Sequence, residues 1–345
     1  MRPFAAEKER NAALLAEDIA AGRERFAAGP SQLVLEPTNR CNGACPICAR
    51  HFWDEEANPP ADMLPEVLDR LDDLMVTADT VFAFGHGEPT IAPLFWDIAV
   101  RAKEKGCRVE ITTNGLILDE AFINRLVAAQ VDIVNLSLDA VEPADLKRRR
   151  GLDITQAEKA LAYLTRRKYE QGSTLPEAGL TVVVDRDNLR ELPGLFRFAE
   201  KLNARSLLVN HLVAWHESLH EKSAYHEPER LAAAFAQLRE AARDSQVEVV
   251  LPFEAIERGV CPHPLRMFFV RASGEVWPCC NAAFRNDRYS FAVGHVLRDA
   301  PRDIWNGPAY RELRRAFLRG EPLPEHCRTC PLRVDSLESH LRRLR

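Results

Sequence analysis

Residues 41–48 read CNGACPIC, which sets Cys41, Cys45 and Cys48 at spacings of four and three. Three thiols cannot pair off among themselves, and as ligands they leave a tetrahedral ion one short. His51 could complete a Cys3His zinc site, and a disulfide to a distant cysteine is a further option. The remaining use is a [4Fe–4S] cluster with one iron left open to another molecule. The chain has nine cysteines, and five others, Cys261, Cys279, Cys280, Cys327 and Cys330, form a second group. Four of those, with one C-x2-C pair among them, would also suit a structural zinc ion. Cys107 stands apart at the start of a strand-like run and reads as buried packing.

The compartment decides between thiol chemistries. No apolar run approaches the ~18–20 residues that span a bilayer. The opening MRPFAAEKERNAALLAEDIAAGRERF carries charge throughout and has no uninterrupted apolar core, unlike a signal peptide. A cytoplasmic protein is expected, with reduced cysteines that favour metal over disulfide. The net charge of −5 and pI near 6.1 give no electrostatic case for nucleic acid or an anionic membrane as partner. The runs Lys147–Arg150 and Arg342–Arg345 read as local charged surface, the first with a possible binding role.

Positioning these residues is the work of an alternating pattern. Strand-like runs at 32–37, 80–85, 108–115, 132–140, 179–184 and 206–212 alternate with helical stretches, including 64–76, 94–106, 119–129, 154–170 and 191–203. Such alternation predicts an α/β fold with a parallel sheet and crossover helices, either doubly wound or a partial barrel. Ligands gather at the C-terminal ends of the strands in both. The cysteine loop, GHGEP (85–89), TNG (113–115) and SLD (137–139) all fall there. After a helical stretch at 228–245, residues 260–331 hold short strands, turns and five cysteines, as expected of a small unit organised by metal.

CNGACPIC, GEP, TNG and SLD at four successive strand ends resemble the radical S-adenosylmethionine (SAM) superfamily. The resemblance implies a partial (β/α)6 TIM-like barrel. Its cysteine loop holds a [4Fe–4S] cluster whose open iron is chelated by the amino and carboxylate groups of SAM. Reductive cleavage of SAM then gives a 5′-deoxyadenosyl radical that removes hydrogen from a substrate C–H. By the same resemblance Gly87, Glu88 and Pro89 lie against the SAM amino group, and Ser137 with Arg149 or Arg150 holds its carboxylate. Asn114 and Asp139 line the cavity. Ile47 stands where an aromatic residue often packs on adenine, and His86 replaces the first glycine of the usual GGEP. An electron donor such as flavodoxin or ferredoxin is implied.

The second cysteine group, with SGEVWPCC, GHVL, IW and CRTC, resembles the SPASM/twitch iron–sulfur extension of the same superfamily. This implies an auxiliary [4Fe–4S] cluster on Cys261, Cys279, Cys327 and Cys330, with Cys280 left over as a free thiol or a hydrogen donor. The expected division is a helical extension at 1–31, the barrel at 32–225, a linking helical segment at 226–259 and the auxiliary-cluster domain at 260–345. Peptide-modifying relatives often carry about 80–90 residues of recognition domain before the barrel, and 31 are too few. A small molecule such as a sugar or aminocyclitol is therefore expected as substrate, for dehydrogenation or epimerisation. Segments 80–89 and 206–220 also resemble relatives that mature tungsten-containing oxidoreductases, which keeps a peptide, metalloenzyme or cofactor substrate as the alternative. A zinc-stabilised binding protein is the non-enzyme alternative. Residues 210–229, with four histidines, read as a pocket wall in which His211, Trp215 and His216 contact substrate.

Overall fold

The structure, a computed structural model, describes residues 2–214, 216–252, 261–279 and 291–328. Trp215, Cys280 and Cys330 lie outside the described residues. The chain forms two compact units, one from the described residues of 1–41, 53–110 and 255–333, the other from those of 42–52 and 111–254. Among the described residues no helix is long and apolar enough to cross a membrane.

In the first unit, β1 (Gln32–Leu35) lies between β2 (Thr80–Ala83) and β8 (Met267–Val270), parallel to both. Antiparallel β9 (Glu275–Trp277) and β10 (Gly294–His295) continue the sheet beyond β8. Leu33, Val34, Leu35 and Val81 are fully buried, as are Phe268 and Phe269, so these strands are hydrophobic on both faces as central parallel strands should be. The stretch expected as one helix at 64–76 is two, α2 (Pro65–Asp69) and α3 (Asp72–Thr77). Between them the chain turns at Arg70, whose Nε reaches the Val296 carbonyl at 3.0 Å.

The leading helix α1 (Ala5–Ala20) covers only part of the helical extension expected at 1–31, and Gly22 at φ +60 follows it. Its inward face is largely polar. Lys8 donates to the Met75 carbonyl at 2.8 Å, Asn11 exchanges bonds with Gly29, and Asp18 accepts from the Ala28 N–H at 3.0 Å. Burial lowers the Lys8 pKa and raises that of Cys107, whose Sγ lies 3.5 Å from the Lys8 ammonium. The segment after α1 is clasped by helix Pro308–Arg319. Arg314, fully buried, lies 3.8 Å from the Phe26 ring and 4.3 Å from that of Trp305. Its fork donates to the carbonyls of Glu24 and Trp305 and to Asn306 Oδ1, and the Trp305 indole N–H donates to the Ala28 carbonyl at 2.9 Å.

Strand β3 (Arg108–Thr113) starts in the first unit and ends in the second. The second unit's sheet is parallel throughout, in the order β4 (Ile133–Ser137), β5 (Glu177–Val184), β6 (Ser206–His211) and β7 (Glu248–Val250). Its core is one cluster built from Leu136, Leu180, Val182 and Leu207 on the strands, with Leu161, Leu195 and Phe235 from the crossover helices. Helices α5 (Glu120–Ala128), α7 (Ile154–Glu170), α8 (Leu192–Lys201) and α9 (Pro228–Ala242) follow the apolar pattern of the sequence. A helix absent from that pattern, α6 (Pro143–Arg150), carries the basic run. The Glu142 side chain caps its N-terminus, and Gly151 at φ +71 ends it.

Candidate functional site

In the first unit the C-terminal ends of β1, β2 and β8 meet around Glu36. One carboxylate oxygen accepts the His86 backbone N–H at 2.9 Å and lies 2.5 Å from His86 Nδ1. The other accepts the Ala272 N–H at 3.2 Å and lies 3.7 Å from Arg271 Nε. An ionised carboxylate only accepts, so Nδ1 carries the proton of this bond. Burial pushes the Glu36 pKa up, but His86 and then Arg271 outweigh it and hold it at about 2. The Trp53 ring tilts over His86 at 5.1 Å. His86 is thus a buried strut tying the GHGEP loop to β1.

The loop's next residue is packed against backbone. A Cβ on Gly87 would overlap the carbonyls of Thr38 and Arg40, the residues leading into Cys41. The Glu88 N–H donates to the Arg40 carbonyl at 2.8 Å, and its carboxylate accepts from Thr90 Oγ1 at 2.7 Å. Pro89 is buried at the start of the following 3-10 turn. Cys41 is partly buried.

In the second unit, the Cys48 N–H donates to the Cys45 carbonyl at 3.0 Å, closing a turn that leaves both thiols partly buried. Ile47, between them, is half-exposed. Asn114 Nδ2 donates to Asn42 Oδ1 at 2.8 Å, tying the end of β3 to this loop. Ser137 and Asp139 are buried at the end of β4. The two candidate arginines diverge. Arg149 forks onto Asp185 at 2.7 and 3.1 Å, whereas Arg150 forks onto Asp139 at 2.6 and 2.9 Å and sets Nη1 3.9 Å from Cys45 Sγ. Burial works against the Arg150 charge, but Asp139 and Cys45 more than offset it, and its pKa rises. Asp185 and Asn188, which order this corner, carried no signal in the sequence beyond their place just after a strand.

His211 is buried and stacks on Tyr225 at 4.6 Å. His216 is exposed and stacks on Phe52 at 5.1 Å. In the C-terminal region Cys261, Cys279 and Cys327 are partly buried. Cys279 packs beside Val34, Met267, Phe269 and Trp277.

Among the described residues no three His, Cys, Asp or Glu side chains converge on a single ion position. A cubane cluster asks for something else, since each thiolate binds a different iron and the sulfurs stand apart around it. The donor set fits such a group: thiols on a short turn, one with a guanidinium beside its sulfur to favour the thiolate.

A family model described as the radical SAM superfamily matches residues 35–199, and one described as an iron–sulfur cluster-binding domain (SPASM) matches 261–331. The chain carries a radical SAM domain and, C-terminal to it, a SPASM iron–sulfur domain. It is 29% identical over 315 residues to the tungsten-containing aldehyde ferredoxin oxidoreductase cofactor-modifying protein of Pyrococcus furiosus, covering 87% of each chain. It is 28% identical over 317 residues to the PqqA peptide cyclase of Granulibacter bethesdensis, covering 88% of this chain and 80% of that one. The crystal structure of Streptococcus suis SuiB bound to precursor peptide SuiA matches with a TM-score of 0.65, at 14% identity, over 88% of this chain and 71% of that one. At that identity the likeness is one of fold.

This radical SAM protein is therefore an enzyme with an α/β fold of mostly parallel strands and a C-terminal SPASM domain. Its cofactors are a [4Fe–4S] cluster with SAM and auxiliary iron–sulfur.

Proposed function

We propose that this enzyme is a maturase that modifies a peptide or the cofactor of a metalloenzyme at an unactivated C–H position. The observation that carries the reading is end-to-end similarity to a cofactor-modifying protein and to peptide cyclases, spanning 80% or more of each of those relatives. This favours the alternative drawn from the sequence over a sugar or aminocyclitol substrate. The count of residues before the first strand gave the wrong weight to the small molecule. The epimerase reading leaned on Cys280, outside the described residues, and is not carried further. Oxidative bond formation is the reaction proposed.

Cys41, Cys45 and Cys48 are proposed to hold the first cluster, and Cys261, Cys279, Cys327 and Cys330 the auxiliary one. When bound, the first cluster with SAM supplies a 5′-deoxyadenosyl radical that takes a hydrogen atom from the substrate. The chain's own contribution is positioning. Gly87 and Glu88 are fixed by the backbone of residues 38–40, which holds the GEP turn for the SAM amino group. Ser137 and Arg150 are proposed for the carboxylate end, with Asn114, Asp139 and Ile47 around the cosubstrate, and Arg149 is assigned to Asp185 instead. His211, Trp215 and His216 are proposed for the substrate side.

The test is an anaerobic preparation with iron analysis and an assay for 5′-deoxyadenosine. Short peptides encoded beside the gene, and the apo form of any metalloenzyme encoded there, are then added and examined by mass spectrometry. Loss of two hydrogens from such a partner with formation of 5′-deoxyadenosine is expected. Modification of a free sugar or aminocyclitol, with every peptide and protein left unchanged, would overturn the reading.

A further inference from the structure

Arg150 does more than face the cysteine loop. Two of its nitrogens are engaged by Asp139 at 2.6 and 2.9 Å, and the third lies 3.9 Å from Cys45 Sγ. Its partner is buried and bonded on several sides. Asp139 is fully buried, its Oδ1 also accepts the Val183 N–H at 2.9 Å, and its carbonyl accepts from Asn188 Nδ2 at 3.0 Å. Asn188 is itself bound to the Val183 carbonyl, and the neighbouring Arg149 is tied to Asp185. The guanidinium is therefore a fixed charge at one sulfur, held by a carboxylate on its far side.

We propose that the Arg150–Asp139 pair sets the reduction potential of the cluster ligated by Cys45, with Arg150 raising it and Asp139 partly offsetting that rise. The inference rests on the reading of Cys45 as a cluster ligand. Reduction adds negative charge to the cluster. A cation fixed at a ligand sulfur in a partly buried site stabilises that charge, and an N–H···S contact acts in the same direction. The carboxylate behind it works the other way from a greater distance. Positive charge wins because it is nearer.

The pair makes a signed prediction that a purely structural role does not. In cluster-loaded protein, the EPR signal of the reduced first cluster is recognised as the one that changes when SAM is added. Its midpoint potential is then read by redox titration without SAM. Arg150→Gln should shift the midpoint to more negative values. Asp139→Asn, which keeps the Val183 bond and leaves Arg150 uncompensated, should shift it to more positive values. Should Arg150→Gln fail to load a cluster, Asp139→Asn carries the test. Midpoints equal to the parent's, or shifts of the same sign in both variants, overturn the proposal while leaving Cys45 as a ligand. Absence of any SAM-responsive cluster in the parent overturns the ligand reading itself.

Discussion

Glu36→Gln is the most informative single change to the fold around the site. The carboxylate is 1% exposed and is held by two backbone N–H groups, by His86 and, more distantly, by Arg271. A pKa brought from 4.5 to about 2 corresponds to about 3 kcal/mol in favour of the folded state at neutral pH. The amide keeps the shape but loses the charge that answers His86 and Arg271, so a destabilisation of about 3 kcal/mol is expected at pH 7. The pH dependence follows from the depressed carboxyl. Its contribution is complete above the ordinary carboxylate pKa and is lost as pH falls through about 4.5 toward about 2. The gap between parent and variant should thus shrink to roughly 1.5 kcal/mol at pH 3. Urea denaturation of the metal-free proteins, followed by tryptophan fluorescence, measures it without interference from an acid-labile cluster. A variant within about 0.5 kcal/mol of the parent at pH 7 would refute the reasoning, as would a gap that does not change between pH 7 and pH 3.

Other substitutions probe separate links. Cys45→Ser should remove the first cluster and lower iron from about eight to about four per chain, with 5′-deoxyadenosine formation abolished; colorimetric iron analysis reads the first outcome. Gly87→Ala forces a methyl group onto the carbonyls of Thr38 and Arg40, so SAM cleavage should fall at least tenfold, by roughly the factor that ~1.4 kcal/mol sets, with iron content retained. Arg314→Lys keeps the charge but loses the fork and its stacking on Phe26 and Trp305, for a loss of about 2–4 kcal/mol in a thermal or urea melt.

Strands with two buried faces were the most legible part of the sequence. QLVLEP and TVFAFG each contain the strand they announced, and GLTVVV lies within β5, which begins two residues earlier at Glu177. The helix α6 was illegible because PADLKRRR has no apolar period. It is specified instead by the cap at Glu142 and the left-handed Gly151, with Leu146 as its buried anchor. Nor could the sequence choose between Arg149 and Arg150. Neighbours on a helix point about 100° apart, and which one faces the cysteine loop depends on where Asp139 and Asp185 lie. His86 reads as a loop residue until Glu36 is seen beside it, because a pair 50 positions apart leaves no local trace. Strand β7, three residues long and partly exposed, offers no alternation to detect.

The clasp on the N-terminal segment bears on how the chain is made. Trp305 meets the Ala28 carbonyl across 277 positions of sequence, so at ~5–20 residues per second the segment waits roughly 14–55 s on the ribosome for its partner. Strand β1 waits similarly for β8. The described residues of the second unit, in 42–52 and 111–254, lie closer together in sequence and wait less. The described residues of the second unit are therefore all synthesised before the first unit has received β8 and Trp305, and the sheet edge of β1 is the surface a chaperone would have to shield in the interval.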